Sequence, residues 1–187
     1  MSAIIVEKAS GKIVFVDAVL TEKGVKGKGF TAPNIKAPDY EQVDNVTLPA
    51  NFKIGYWSWN ANDGFVLSDE PGLVSMLAEQ KKSQLASIAE RALESGFSWN
   101  GVPIDTTEKG IARLNMGKQK SRASRKVVTS RGQGRANVTS AQFDALFDAI
   151  ESHGKAIMDN WYDLLEAIDN ASTLAELDAI DINSGWP

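Results

Sequence analysis

Between residues 140 and 170, apolar or small residues recur at alternating intervals of four and three. The positions are Phe143, Phe147, Ile150, Gly154, Ile157, Trp161, Leu164 and Ile168. Because residues three and four apart lie above one another on an α-helix, this spacing predicts one helix from about Ser140 to Asn170. Its apolar face must be covered by other parts of the chain, so the C-terminal half is expected to form a packed, mainly helical domain.

In the first 68 residues the spacing of apolar residues is different, because apolar and polar residues alternate in short runs. Ala3–Glu7 and Lys12–Val19 predict one hairpin, and Phe52–Trp59 with Phe65–Leu67 predict a second. Thr21–Ala50 contains three prolines and is interpreted as a long loop with room for one strand near Val25–Phe30. These residues are expected to form a small antiparallel β domain.

Near Ser68 the spacing of apolar residues changes from the alternation of a strand to the three- and four-residue spacing of a helix. A helix is therefore expected to begin there. Ser68 or Asp69 can cap it, Pro71 suits its first turn, and Gly96 can end it. Residues 79–84, in the middle of this helix, are wholly polar, which indicates a bridge between two domains. The expected fold class is α+β, with a small N-terminal antiparallel β domain over residues 1–68, a connecting helix over 69–96 and a mainly helical C-terminal domain over 97–187.

Short hairpins are also expected within the C-terminal domain. Asn100 and Gly101 lie between two apolar runs and predict a two-residue turn, because both residue types tolerate positive φ angles. The other predicted elements are a helix from Asp105 or Thr106 to about Lys120, strands at Lys126–Thr129 and Arg135–Val138, and a short helix opened by Thr173 and Glu176.

Charge is strongly segregated along a chain whose net charge is −4. Residues 109–135, the basic segment, carry nine bases and no acid, whereas residues 136–187 carry ten acids and one base. The candidate interaction residues of the basic segment are Arg122, Arg125, Lys126, Arg131 and Arg135. Two kinds of binding partner remain candidates for the basic segment. One is the phosphates of a nucleic acid, and the other is the acidic helix of residues 140–170 in the same chain or in a neighbour. The acidic composition of the whole chain favours the second.

Residue types that carry catalysis or bind metal ions are scarce. The chain has no cysteine, and its single histidine, His153, lies beside the apolar face of the long helix. A Ser-His pair could be drawn with Ser140 or Ser152, but adjacent helical residues point apart and no nucleophile-elbow motif is present. No calcium-loop pattern occurs, and none of the 24 acids is distinguished as a catalytic pair. The sequence therefore predicts a protein that is not an enzyme, with no catalytic residues, metal ion or cofactor.

Aromatic residues cluster near residue 57 and close to the C-terminus. Trp57 and Trp59 share one face of a predicted strand, because side chains alternate along it. They could stack on a sugar, but packing in the core of a small β domain is the stronger interpretation. Trp186 is next to the last residue, where an aromatic ring is ordered only when it packs, so we expect it to be buried. These three tryptophans complete the set of candidate interaction residues.

Two segments resemble a known family. The first is residues 96–106, Gly-Phe-Ser-Trp-Asn-Gly-Val-Pro-Ile-Asp-Thr, and the second is residues 173–187, Thr-Leu-Ala-Glu-Leu-Asp-Ala-Ile-Asp-Ile-Asn-Ser-Gly-Trp-Pro. In order and spacing they resemble a C-terminal domain of unknown function found in bacteriophage tail-fibre and tail-fibre assembly proteins. The resemblance covers about residues 80–187 and departs at residues 125–135, where such domains have a Trp-Lys-x-x-Asp-Gly-like strand. Residues 55–59, Gly-Tyr-Trp-Ser-Trp, are similar to the small β domain that precedes it in those proteins.

The resemblance implies a bacteriophage tail or baseplate structural protein that is associated with the tail fibres and serves host attachment. Its location would be the virion tail, after synthesis in the host cytoplasm, and its partners would be tail-fibre or baseplate proteins in an oligomeric assembly. Two alternatives are a tail-fibre assembly chaperone outside the virion and a nucleic-acid-binding accessory protein that uses the basic segment. No membrane partner is expected, because no apolar run approaches roughly 20 residues. The resemblance implies no catalytic residues.

Overall fold

The computed structural model describes residues 2–21, 24–28, 30–32, 35, 39–119, 124–128 and 135–187. Contacts between Cα atoms divide the chain into two compact units. The first unit comprises residues 1–77 and 172–174, and the second comprises residues 78–171 and 175–187. The N-terminal strands are antiparallel and the longer helices follow them, which confirms the predicted α+β class.

The first unit is built mainly from strands. They are β1 (Ser2–Glu7), β2 (Ile13–Val16), β3 (Val19–Thr21), β4 (Gly24–Gly27), β5 (Phe30–Ala32), β6 (Tyr40–Val46), β7 (Trp57–Asn60) and β8 (Gly64–Leu67). The described strands pair in the orders β2-β1-β6, β3-β4-β5 and β7-β8. Helix α1 (Glu70–Glu94) begins in this unit and continues into the second.

Strand β1 is the centre of its sheet and is buried on both faces. Ile4 and Val6 lie in one core cluster, which side chains of β7 and β8 complete. Ile5 lies in a second cluster with Ala18 and Val25, which side chains of β3, β4 and β5 complete. Because successive side chains of a strand point to opposite faces, three consecutive apolar residues place β1 between two further layers.

The loop expected over residues 21–50 is wrong. In its first half, β4 and β5 pair where one strand was expected near Val25–Phe30, and in its second half β6 pairs with β1 in antiparallel register. The sequence of β6, Tyr-Glu-Gln-Val-Asp-Asn-Val, has few residues of high β propensity. Its pairing with β1, a strand distant in sequence whose middle residues are apolar, decides its conformation. One polar residue also contributes to the fold, because Gln42 Oε1 accepts a hydrogen bond from the backbone N–H of Leu20 at 2.8 Å.

The second unit combines helices with two hairpins. After α1 follow β9 (Phe97–Trp99), β10 (Val102–Ile104), α2 (Glu108–Gln119), β11 (Ser124–Val128), β12 (Arg135–Thr139), α3 (Ser140–Asn170) and α4 (Leu174–Ala179). β9 pairs with β10 and β11 with β12, both antiparallel. Both hairpins and the full length of α3 agree with the expectation from the sequence, although β11 begins at Ser124 instead of Lys126 and Thr129 lies outside the described residues.

Local capping and turn residues set the boundaries of these elements. Asp69 Oδ1 accepts from the backbone N–H of Gly72 at 2.9 Å, which caps α1. Asn100 and Gly101 have φ angles of 49° and 76°, as the predicted two-residue turn requires. Thr139 caps α3 through a reciprocal capping box with Gln142.

The hairpin β9-β10 is packed into the core of the second unit. Its buried residue Ile104 lies in a cluster with Leu114 of α2 and with Phe143 and Leu146 of α3. The hydroxyl of Thr106 donates to the carbonyl oxygen of Leu93 and accepts from the N–H of Gly96 at 3.0 Å. These bonds fasten the C-terminal end of α1 to the chain that leaves the hairpin.

Candidate functional site

Three of the five basic residues that were predicted to bind a partner belong to the hairpin β11-β12. Arg125 and Lys126 belong to β11, and Arg135 is the first residue of β12. All five residues of each strand are paired in the antiparallel register. Arg122 and Arg131 lie outside the described residues. The hairpin therefore places Arg125, Lys126 and Arg135 on paired strands, and their role in binding stays a prediction.

The side of α3 that carries its acids is solvent exposed, and we call it the acidic face. Its members are Asp144, Asp148, Glu151, Asp159, Asp163 and Glu166. Lys155 lies within the same row and forms an ion pair with Asp159, four residues along the helix. The face is therefore predominantly negative, with one basic side chain in its middle.

Two lysines from the polar middle of α1 contact other helices of the second unit. Lys82 Nζ lies 2.5 Å from Asp169 Oδ1 of α3 and 2.8 Å from Glu79 Oε1. Hydrogen bonds, first to Asp169 and then to Glu79, raise the pKa of Lys82 above its ordinary value of 10.5. Lys81 Nζ donates to the carbonyl oxygen of Leu177 in α4 at 2.5 Å. These bonds hold the middle of α1 in the second unit, while the predicted boundaries at residues 68 and 96 stay predictions.

Trp57 and Trp59 both pack against the core cluster that contains Ile4. The indole nitrogen of Trp57 is fully buried and has no hydrogen-bond partner among the described residues. The ring of Trp59 packs edge-on against Phe65, with ring centroids 5.0 Å apart. Both side chains are half-buried, so packing in the core covers part of each ring. A role of either tryptophan in binding a partner stays a prediction.

An open cavity of about 450 Å³ borders Trp59 in the first unit. Its walls come from the turn after β1, from β6 and from the β7-β8 hairpin. Gly11 fixes the spacing of these walls, because its carbonyl oxygen accepts from the N–H of Trp59 at 2.8 Å. A Cβ atom at Gly11 would lie 2.6 Å from the carbonyl oxygen of Trp59, so a larger residue would push the walls apart.

The cavity is lined by polar side chains of mixed charge. They are Glu7, Lys8, Ser10, Glu41, Ser58 and Asn60. The hydroxyl of Ser10 donates to a carboxylate oxygen of Glu7. Asn60 Oδ1 accepts from the backbone N–H of Asn62 at 2.8 Å, and the amide nitrogen of Asn60 has no partner within the described ranges. Of the residues that line this cavity, the sequence indicated only Trp59, because the lining comes from three segments far apart in the chain.

The C-terminal tail is fixed to α3. The side-chain nitrogen of Asn160 donates to the carbonyl oxygen of Ser184 at 3.1 Å. The indole N–H of Trp186 donates to the carbonyl oxygen of Ile182 at 3.0 Å, and Ile182 itself is 7% exposed. Trp186, which was expected to be buried, is half-buried. The sequence carries no signal for Asn160, because a single half-buried amide on a long helix belongs to no recognisable pattern.

A second groove, of about 360 Å³, lies between α1 and this tail. Ser87 and Arg91 line one side, and Ile182 and Asn183 line the other. Arg91 Nε donates to the carbonyl oxygen of Ser87 at 3.2 Å. The guanidinium is therefore partly engaged by its own helix.

His153 is a packed residue of α3. Its ring stacks on that of Phe97, with centroids 4.8 Å apart and an interplanar angle of 22°. Nε2 is fully buried and has no hydrogen-bond partner in the part of the chain that the structure describes. Burial lowers the pKa of His153 from its ordinary 6.5, because the charged form loses hydration. Ser152, its neighbour, is exposed, so the two residues do not form a Ser-His pair at Nε2.

Neither a metal cluster nor a membrane span is found within the described residues. In those ranges, no group of three or more His, Asp or Glu side chains is arranged to hold a metal ion. None of the helices described combines the length and the hydropathy that a bilayer span requires.

These features define a small α+β protein in which a β unit is followed by a helical unit with two hairpins. Residues 76–183 match the family described as Domain of unknown function (DUF4376). The match covers more than half of the chain, and the chain therefore belongs to this family. No curated protein and no solved structure matches the chain. The family assignment agrees with the C-terminal domain of unknown function that the sequence resembles.

Proposed function

We propose that the protein is a structural component of a bacteriophage tail or baseplate, associated with the tail fibres. The observation that carries the proposal is the ending, residues 173–187, in which the resemblance to tail-fibre proteins is strongest. Residues 175–187 of this ending belong to the helical unit, in which the carbonyl oxygen of Ser184 accepts from Asn160 and that of Leu177 accepts from Lys81. A docked ending favours a structural role for the residues that carry the resemblance.

The surface of α3 also supports assembly with another protein. The acidic face offers six exposed carboxylates along one helix, a surface suited to a partner of opposite charge. Exposed ion pairs stabilise a complex by only about 0–1 kcal/mol each. The acidic face is therefore suited to orienting a partner and to selecting it, more than to strong binding by itself.

The proposal is tested on purified virions of the phage or prophage whose genome encodes the chain. Quantitative mass spectrometry should find the protein at a constant ratio to the fibre or baseplate proteins after repeated gradient purification. A protein of the host cytoplasm serves as the control for carry-over, and it should be lost across those gradients.

Two other results would contradict a structural role. Absence from virions, with co-purification of the fibre protein from lysates of producing cells, would favour the assembly chaperone. Absence from virions, without any association with fibre or baseplate proteins, would remove both tail-fibre functions.

A further inference from the structure

We propose that the C-terminal half of α3 binds a second copy of this chain, which contacts it with its hairpin β11-β12. The surface that receives the hairpin is called the distal patch and consists of Asp159, Tyr162, Asp163 and Glu166. The inference goes beyond the proposed tail function and does not depend on it, because self-association is measured on the purified protein alone.

The distal patch combines an aromatic ring with carboxylates on one side of the helix. Its residues are three and four positions apart, so they are neighbours on the helix surface. All four are exposed, and Tyr162 is 57% exposed. Its ring contacts that of Trp161, with centroids 4.8 Å apart. A large exposed tyrosine is a residue type that is enriched where proteins bind one another.

The charges of the distal patch select a basic partner. Asp159 forms an ion pair with Lys155. Asp163 and Glu166 have neither a hydrogen bond nor an ion pair among the described residues. A guanidinium group can stack on a tyrosine ring and can bind a carboxylate with two hydrogen bonds. The patch therefore suits a partner surface that contains arginine.

The hairpin β11-β12 has this composition. Its strands, Ser-Arg-Lys-Val-Val and Arg-Ala-Asn-Val-Thr, carry three bases and no acid. The bases are Arg125, Lys126 and Arg135. The two surfaces of the same chain are thus opposite in charge, which favours their contact and fixes its orientation.

Within one chain the hairpin lies too far from the distal patch. Strand β12 ends where α3 begins, at Ser140, and its five residues span only about 17 Å. From Ser140 to Asp159 the axis of α3 rises by about 28 Å, and Glu166 lies farther still. Helix α2 is also held at the first part of α3, because Leu114 clusters with Phe143 and Leu146. The hairpin that reaches the patch therefore belongs to another copy.

Each copy carries both surfaces, so the contact can be reciprocal in a dimer or repeated around a ring. Sedimentation velocity and native mass spectrometry of the full-length protein measure the self-association and the copy number. We expect oligomers that dissociate as the salt concentration rises, because the contact is between exposed charges.

Two charge-reversal variants test the two surfaces. The patch variant is Asp163→Lys with Glu166→Lys, and the hairpin variant changes Arg125, Lys126 and Arg135 to glutamate. Each alone should weaken self-association at least about tenfold. Glu90→Lys with Glu94→Lys is the matched control, because it makes the same change of charge at exposed positions of α1, and it should associate like the unchanged protein.

Tyr162→Ala removes the ring without changing the charge and should also weaken self-association. Circular dichroism checks that each variant keeps its fold.

Mixing the patch variant with the hairpin variant separates a contact between chains from one within a chain. In the mixture, the basic hairpin of one variant meets the acidic patch of the other, and the reversed hairpin meets the reversed patch. Mixed oligomers should therefore form, although neither variant associates well alone. A contact within one chain would give no mixed oligomers.

Three results would overturn the inference. One is a protein that stays monomeric at every concentration up to its limit of solubility. Another is self-association that both reversal variants leave as strong as the control does. The third is a monomeric protein that binds duplex DNA in a salt-sensitive way through the hairpin, which would assign the hairpin to nucleic acid.

Discussion

The carbonyl oxygen of Ser184 accepts a hydrogen bond from the side-chain nitrogen of Asn160 at 3.1 Å, so the end of the chain is held against the middle of α3. The next residue, Gly185, has a φ angle of 79°. A Cβ atom there would lie 2.4 Å from Asn160 Oδ1. A side chain at residue 185 would therefore displace the Asn160 amide from its hydrogen bond to Ser184, and the left-handed backbone itself favours glycine.

Two glycine substitutions separate the cost of the left-handed backbone at residue 185 from the cost of the close contact with Asn160. Gly185→Ala should lower the free energy of unfolding by about 2–3 kcal/mol, because it adds a steric conflict to a left-handed backbone. Gly101→Ala is the matched control, since Gly101 has a φ of 76° but open space around its Cβ position, and it should cost about 1 kcal/mol. Urea unfolding measures both. Equal losses would show that the tail is not held against Asn160.

Lys82 is expected to contribute more to stability than an ordinary surface lysine. Lys82→Met should lower the melting temperature of the helical unit, because it removes the bonds to Asp169 and Glu79. Lys155→Met is the control, since the partner of Lys155 among the described residues is Asp159, one turn away on the same exposed helix, and its change should be smaller.

The same lysine also predicts a dependence on alkaline pH. The pKa of Lys82 is raised in the folded state, so its contribution is complete below 10.5 and is lost as pH rises through the folded-state value. The difference in melting temperature between the unchanged protein and Lys82→Met should therefore shrink above pH 10.5. A difference that stays constant across this range would contradict the prediction.

His153 predicts a loss of stability toward acid pH. Its pKa is lowered by burial, so the unfolded chain binds a proton more readily than the folded chain, and stability falls as pH decreases below 6.5. His153→Phe keeps a ring that can stack on Phe97 but cannot titrate. Thermal unfolding between about pH 7 and pH 5 should show a smaller pH dependence in this variant. The chain has one histidine, so an unchanged dependence would contradict the assignment.

The helical unit is expected to fold alone if it keeps Lys81 and Lys82, which contact Leu177 and Asp169. A fragment of residues 78–187 should show a cooperative thermal transition, because it contains the second unit. A fragment of residues 84–187 should melt at a lower temperature, since it lacks Lys81 and Lys82. If neither fragment unfolds cooperatively while the full chain does, the two units are not independent.

Charge reversal distinguishes the two partners of the basic segment. Changing Arg122, Arg125 and Arg131 to glutamate should disturb assembly but leave the fold intact, if the partner is the acidic face. Changing Asp148 and Asp163 to lysine should have the same effect, and combining the two sets should restore part of the assembly. Native mass spectrometry or light scattering measures the outcome. Tight, salt-sensitive DNA binding that the arginine reversal abolishes would instead support nucleic acid.

Most of the local structure could be predicted from the sequence, because its signals lie within a few residues of one another. The apolar stripe of α3 gave the full length of that helix, and Asn100 with Gly101 gave the β9-β10 turn. The charge segregation is likewise a property of the sequence itself. The polar strand β6 could not be found in this way, since its conformation depends on pairing with β1.

The candidate sites depended on the tertiary structure for the same reason. The sequence determined the α+β class, the order of the helices and hairpins, and the aromatic and charged residues available for binding. It could not show that Glu7, Glu41 and Asn60 line one cavity, that Asn160 holds the tail, or that Lys82 reaches Asp169. Local periodicity reports which face of an element is apolar, whereas contacts between distant segments are decided by how those faces pack together.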